Sequence, residues 1–185
     1  HISVRDLVAQ AMRLAETRND VSVELVADPE IPKIWADSRL LRQVIENLIT
    51  NALQAMSSGG VLTLTLLAAG GSTPGIELSI EDTGEGMDTA VRSRAFDPFF
   101  TTRQSGTGLG LAIVARIVDA HGGKLAIRSA QGAGTAMQLF LPIASEAAAQ
   151  QRMRSGDSSP PRSTPVPPMP AELANALDPS QPRDP

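Results

Sequence analysis

Three stretches of this chain carry residue types at spacings that could do chemistry. In RLLRQVIENLITNALQAM, helical winding gathers Gln43, Asn47, Asn51 and Gln54 into a stripe of amides, with Asn47 and Asn51 one turn apart. Amide oxygens are suitable hard ligands for Mg²⁺, which keeps waters and shares phosphate oxygens. The same amides would serve equally as interhelical hydrogen-bonding groups. In IELSIEDTGEGMD a strand ends on the carboxylate of Asp82, followed by Gly84 and Gly86. A carboxylate there can accept from an exocyclic amine such as that of adenine, and the glycines would let backbone pass beside a ring. A plain turn has the same D-x-G-x-G pattern. In AFDPFFTTRQSGTGLGLAIV, Gly106, Gly108 and Gly110 open a helix, gathering free N–H groups at the positive end of its dipole. That is an anion site, or a glycine-rich hinge. It is neither a Walker A loop nor the G-x-G-x-x-G dinucleotide fingerprint, because the spacing is G-x-G-x-G and TTRQS before it is no strand.

The elements that must hold these groups follow from periodicity. Apolar residues from Val4 to Thr17 recur at helical spacing, VSVELVAD alternates as a strand, and KIWAD is a second short strand candidate. Asp37 or Ser38 can cap a helix running to about Met56, with Leu41, Val44, Ile45, Leu48, Ala52 and Ala55 as its apolar face. VLTLTLLAA and IELSIED predict one hairpin, KLAIRSA and GTAMQLFLP another. Residues 84–106 read as irregular, and helix resumes up to the stop at Gly122. The stretch from Asp88 to Ser105, polar and bounded by glycines, suits a mobile lid whose Phe96, Phe99 and Phe100 need a partner surface to bury them. Such a mixture is an α/β fold: a mixed, mostly antiparallel sheet with helices on one face, a two-layer sandwich.

Composition narrows the function classes. The chain has 185 residues and a net charge of -4, which argues against a nucleic-acid or anionic-membrane surface as its main business. With no cysteine and only two histidines, thiolate chemistry and the usual zinc clusters are out. No apolar run is long enough to span a bilayer, so the sequence reads as a soluble piece of something longer. Nine of the 14 prolines fall between Pro160 and Pro185, placing the folded domain at residues 1–145 and a Pro-rich, disordered tail at 146–185.

In their order, these motifs resemble the ATP-binding domain of sensor histidine kinases, within the gyrase, chaperone, kinase and mismatch-repair ATPase superfamily. ENLITNALQAM resembles the N box, EDTGEGM the G1 box, AFDPFF the F box, GTGLGLAIV the G2 box and GAGTAMQLFLP the G3 segment. The likeness covers residues 1–143, and DPFFTTR is most similar to the nitrogen-regulation type. It implies a Bergerat-type fold with ATP between helices and lid. Position by position, it implies that Asn51 ligates Mg²⁺, that Asn47 approaches the phosphates and that Asp82 binds the adenine amine beside Gly84 and Gly86. Gly106, Thr107, Gly108, Leu109 and Gly110 would wrap the phosphates, and Thr135 would support adenine through water. Arg103 stands where lysine is common, keeping the charge with a different fork. Gln54 stands where many relatives carry a basic residue, which removes one phosphate contact. The hydrolytic glutamate of the gyrase and chaperone branches is replaced by Asn47, which cannot act as a base.

The resemblance further implies phosphoryl donation from Mg-ATP to a histidine on a separate helical-hairpin domain, and from there to a response regulator. It also implies a cytoplasmic domain of a parent that can be membrane-anchored. His1 and His121 lie in contexts unsuited to accepting phosphate, so this chain supplies no nucleophile. The alternatives are a nucleotide-sensing module without transfer and a serine kinase of the anti-sigma type.

Overall fold

The structure, a computed structural model, describes residues 1–103 and 106–143. Helix α1 spans Val4–Met12, started by the Ser3 hydroxyl accepting from the Asp6 N–H, and buries Val4, Leu7, Val8 and Ala11. The predicted continuation to Thr17 is corrected to a single 3₁₀ turn over Ala15–Thr17. There the Thr17 hydroxyl donates to the Leu14 carbonyl at 2.7 Å, competing with the backbone ladder, and Leu14 faces outward. KIWAD is not a strand either: Ile34 makes one antiparallel bridge to Ile2, and the neighbouring Pro29 and Pro32 have no N–H with which to extend it.

Strand β1 covers Val21–Ala27 and helix α2 covers Ser38–Ala55. Asp37 caps α2 through its side chain, which accepts from Arg39 N at 2.8 Å and Leu40 N at 3.2 Å. The buried face holds Leu41, Val44, Ile45, Leu48, Ile49 and Ala52. Ile49 was absent from the predicted face, and Ala55, predicted on it, is half-buried at the rim against Gly84. Strands β2 (Gly60–Ala69) and β3 (Gly75–Asp82) form the first hairpin; β4 (Lys124–Ser129) and β5 (Thr135–Pro142) form the second.

The five strands lie in the order β1-β2-β3-β5-β4. Only β1 and β2 run parallel, and α2 is the crossover that a parallel pair requires. Alternation then sorts the faces. Leu62, Leu64, Leu66, Ile76, Leu78, Ile80, Met137, Leu139 and Leu141 are buried beneath the helices. Thr63, Thr65, Glu77, Glu81 and Gln138 occupy the opposite face. Helix α3 (Thr89–Ser93) corrects the irregular reading of residues 84–106: the Asp88 carboxylate accepts from the Val91 N–H at 2.7 Å and nucleates one short turn. Helix α4 (Gly110–Ala120) buries Ala112, Val114, Ile117 and Val118 and packs on α2. Gly122, at φ 69°, takes the left-handed position that stops it. The molecule is an α/β two-layer sandwich. The tail at 146–185 and Ser105 lie outside the described residues.

Candidate functional site

Asp82 is the last residue of β3, paired in register with Thr135 of β5. It is 9% exposed, and its Oδ1 accepts from the Gly84 N–H at 2.9 Å. Burial pushes its carboxyl above the usual range, assisted by Glu85, against the N–H groups of Gly84 and Thr135 and the charge of Arg103. Desolvation wins. Among the described residues no basic side chain lies within ion-pair distance of this carboxyl group at the end of the sheet.

Behind it lies a junction that the motif reading missed. The Ser129 hydroxyl, at the end of β4, donates to the Gly134 carbonyl at 2.9 Å and accepts from the Met87 N–H at 2.8 Å. It also meets the Thr135 hydroxyl at 2.9 Å, and the Ser129 carbonyl accepts from Arg92 at 2.8 Å. Thr135, 7% exposed, is thus oriented by a serine directly across the hairpin. The expected β4–β5 hairpin would have pointed to Ser129, since it ends the strand opposite Thr135.

The glycines divide in an informative way. At Gly84 an added Cβ would come within 2.5 Å of the Ala55 carbonyl, and at Gly86 within 2.0 Å of the Ala130 carbonyl. At Gly108, φ 66°, it would strike the Phe99 backbone at 2.4 Å, and at Gly106 the Thr101 hydroxyl at 2.3 Å. The chain's own atoms crowd these four. Gly110 is different: a Cβ there would meet nothing within 4 Å. It begins α4, where Leu109 is the N-cap and supplies no side-chain bond, so no cap side chain satisfies the first-turn N–H groups. Thr107 is exposed, its hydroxyl accepting from the Leu109 N–H at 3.4 Å.

Asn47 and Asn51 are half-exposed on α2, which packs against α4, and no other described residue engages either side-chain amide. Arg103 comes from the lid to the same place. Its Nη1 donates to Gln54 Oε1 at 2.5 Å and its Nη2 to the Asn51 carbonyl at 3.3 Å. Among the described residues no three acidic, histidine or cysteine side chains could hold a metal together. An ion here would rely on an amide oxygen and on ligand phosphates, a donor set that suits Mg²⁺ and not zinc.

The three lid phenylalanines occupy three environments. Phe96 packs against the core, the Phe100 ring lies 4.2 Å beneath the Arg94 guanidinium, and Phe99 is 75% exposed. Phe99 adopts φ 66° while its N–H donates to the Gly108 carbonyl at 2.9 Å. His121 is buried with both ring nitrogens engaged, and the His1 ring lies against Trp35.

A sheet end with a buried carboxylate, an amide-bearing helix and an uncapped glycine-opened helix define a nucleotide-binding ATPase domain. Residues 36–145 match the family described as histidine kinase-, DNA gyrase B- and HSP90-like ATPases, and the chain belongs to that family. The signal transduction histidine-protein kinase AtoS of Escherichia coli K12 is 42% identical over 77% of this chain and 24% of its own length. The sensor histidine kinase ZraS of the same strain is 34% identical over 77% of this chain and 30% of its own. The chain thus spans about a quarter to a third of the curated relatives it matches. The mycobacterial sensor histidine kinase MprB superposes with a TM-score of 0.67 at 30% identity, over 76% of this chain and 95% of that one. The catalytic domain of histidine kinase ThkA gives 0.68 at 27%, over 77% and 93%. ThkA in complex with the response regulator protein TrrA gives 0.64 at 25%, over 77% of this chain and 41% of that one. No helix among the described residues is long and apolar enough to cross a membrane.

Proposed function

We propose that this chain binds Mg-ATP and donates its γ-phosphoryl group to a histidine on a separate helical-hairpin domain, from which phosphate passes to a response regulator. The observation that carries this reading is that α2, whose Asn47 and Asn51 side-chain amides no other described residue engages, packs on α4, which opens at Gly110, while Gly84 beside the buried Asp82 carboxylate abuts Ala55 of the same α2. Asp82 accepts from the adenine amine, with Thr135 held beside it by Ser129 and with Gly84 and Gly86 shaping the wall. The N–H groups from Gly106 to Gly110, with Thr107 and Leu109, bind phosphate oxygens, and Asn47 approaches the same phosphates. Arg103 supplies a positive charge beside them. Asn51 offers its amide oxygen to Mg²⁺, which when bound neutralises charge on the phosphates.

With Asn47 where a general base would stand, the chain holds ATP without activating water, and transfer waits for an imidazole that attacks in line. His121 cannot be that group, because both its nitrogens are occupied inside the fold. The test is to supply a phosphoacceptor hairpin domain from a nitrogen-regulation-type kinase together with γ-labelled ATP. Acid-labile phosphate on the hairpin is expected. ATP binding with no transfer would make the chain a nucleotide sensor, and acid-stable phosphate on a protein serine would make it a serine kinase.

A further inference from the structure

Helix α2 has no basic residue in its last turn, although a helix C-terminus attracts cations. Two guanidinium groups reach it from elsewhere. Arg18, before β1, donates to the Leu53 carbonyl at 3.3 Å and the Met56 carbonyl at 2.9 Å. Arg103 reaches the Asn51 carbonyl and the Gln54 side chain from the lid. Their charge environments differ. Arg18 also forms an ion pair with Asp20, whereas among the described residues Arg103 has no carboxylate within ion-pair distance. A half-buried cation hydrogen-bonded, among the described residues, only to neutral carbonyl oxygens, with the Asp82 carboxylate acting on it from beyond ion-pair distance, leaves an electrostatic demand that an anion would meet.

We infer that Gln54 is a positioning residue for a lid-borne phosphate cation. Its amide oxygen seats the Arg103 guanidinium beside Asn51, so the charge that meets the polyphosphate arrives with the lid and not with α2. The inference rests on the reading of the site as one for Mg-ATP. Two of the five Arg103 donors are used on α2, leaving three for phosphate oxygens. The backbone of Arg103 is fixed toward the glycine run, its carbonyl accepting from the Gly106 N–H at 3.2 Å. Its own N–H donates to the Thr101 hydroxyl at 3.1 Å. A neutral acceptor at position 54 is required by this geometry, because a cation there would repel the arriving guanidinium. Affinity for the phosphates and closure of the lid therefore become one event.

The test uses the whole chain with Mg²⁺, titrated with adenosine, ADP and ATP. Arg103→Gln and Gln54→Ala should each weaken ATP binding by about tenfold, the worth of a charge-assisted hydrogen bond, while adenosine binding stays within about twofold. Retained adenosine binding shows that the variants fold. The double variant should lose no more than Arg103→Gln alone. The swapped pair, Gln54→Arg with Arg103→Gln, should recover ATP affinity but no longer protect lid amides from hydrogen exchange on adding nucleotide. Additive losses, or undiminished ATP binding by Arg103→Gln, would overturn the inference while leaving the ATP site intact. Failure of the unaltered chain to bind any of the three ligands would overturn the site itself.

Discussion

The Asp37 N–H donates to Nε2 of His121 over 3.2 Å, joining the residue that caps α2 to the residue that ends α4. Nδ1 of the same ring bonds the Ile117 carbonyl at 2.7 Å, so the imidazole is a buried cross-brace between the two helices that flank the site. His121→Ala leaves the Asp37 N–H without its partner. A loss of about 1–3 kcal/mol is expected, seen as a lower urea midpoint at unchanged slope. An unchanged midpoint would show that the brace carries no net stability.

Asn51→Ala should leave the fold intact, because the side chain is half-exposed and borders the apolar face of α2. ATP affinity measured with Mg²⁺ should fall to the value measured in a chelator, a loss of about ten- to a hundredfold. If Mg²⁺ still strengthens ATP binding to the variant, another group holds the ion.

Asp82→Asn should trade function for stability. Burial raises the folded-state pKa of Asp82, so the fold favours the protonated acid. Its contribution is full below the ordinary carboxylate range and is lost as pH rises through the raised value. Asparagine keeps an acceptor for the Gly84 N–H without the charge, so the variant should be the more stable protein at neutral pH and the gap should close on acidification. Preference for ATP over GTP should vanish with it, since the carboxylate is the group that finds an amine on adenine and a carbonyl on guanine. Denaturation curves across pH and competition titrations read the two effects separately.

Gly110→Ala separates folding from binding more sharply. The new methyl enters open space at the start of a helix, where alanine is favoured over glycine by about 0.5–1 kcal/mol. The variant should melt no lower than the parent, yet bind ATP about tenfold or more weakly with adenosine affinity intact. Undiminished ATP binding would place the phosphates elsewhere. Gly134→Ala, by contrast, puts a Cβ 1.9 Å from the Asp82 carbonyl at φ 79° and should destabilise the whole sheet end.

Phe99→Gly should also stabilise the isolated chain, by about 1 kcal/mol, because glycine accepts φ 66° without strain and the ring it removes is exposed. ATP affinity should hold, while transfer to a supplied hairpin domain should drop severalfold. Adding the hairpin should protect amides around Phe99 from exchange in the parent and not in the variant. If the hairpin changes nothing there, the exposed ring is not the contact between the domains.

The sheet, both hairpins and α2 were legible because alternation and helical spacing each run unbroken for at least six residues in those segments. Residues 15–17 and 88–93 were misread for a common reason: a Thr or Asp side chain bonds the backbone locally and overrides periodicity across one turn. In the site, Asp82 and the amide stripe could be read from residue type. The pairing of Gln54 with Arg103, 49 positions apart, could not, because only tertiary packing brings the lid to α2. The glycines were legible as a set but not by role, since whether the chain itself or an open space adjoins each one depends on the folded neighbours.

The entry to the lid is tied to the β4–β5 hairpin, whereas its exit is tied to the lid itself. The Gly132 N–H donates to the Glu85 carbonyl at 2.7 Å and the Ser129 hydroxyl accepts from the Met87 N–H; the Gly108 carbonyl accepts from the N–H of Phe99, a lid residue. Doubling the length of such a loop costs only about 0.6 kcal/mol of closure entropy, so length by itself is weakly constrained here. Identity is not: Phe96 packs on the core, Arg92 bonds the Ser129 carbonyl and Arg103 reaches α2 from within the same segment. A lid rewritten to greet a different partner domain would therefore also rewrite the grip on whatever lies beneath it.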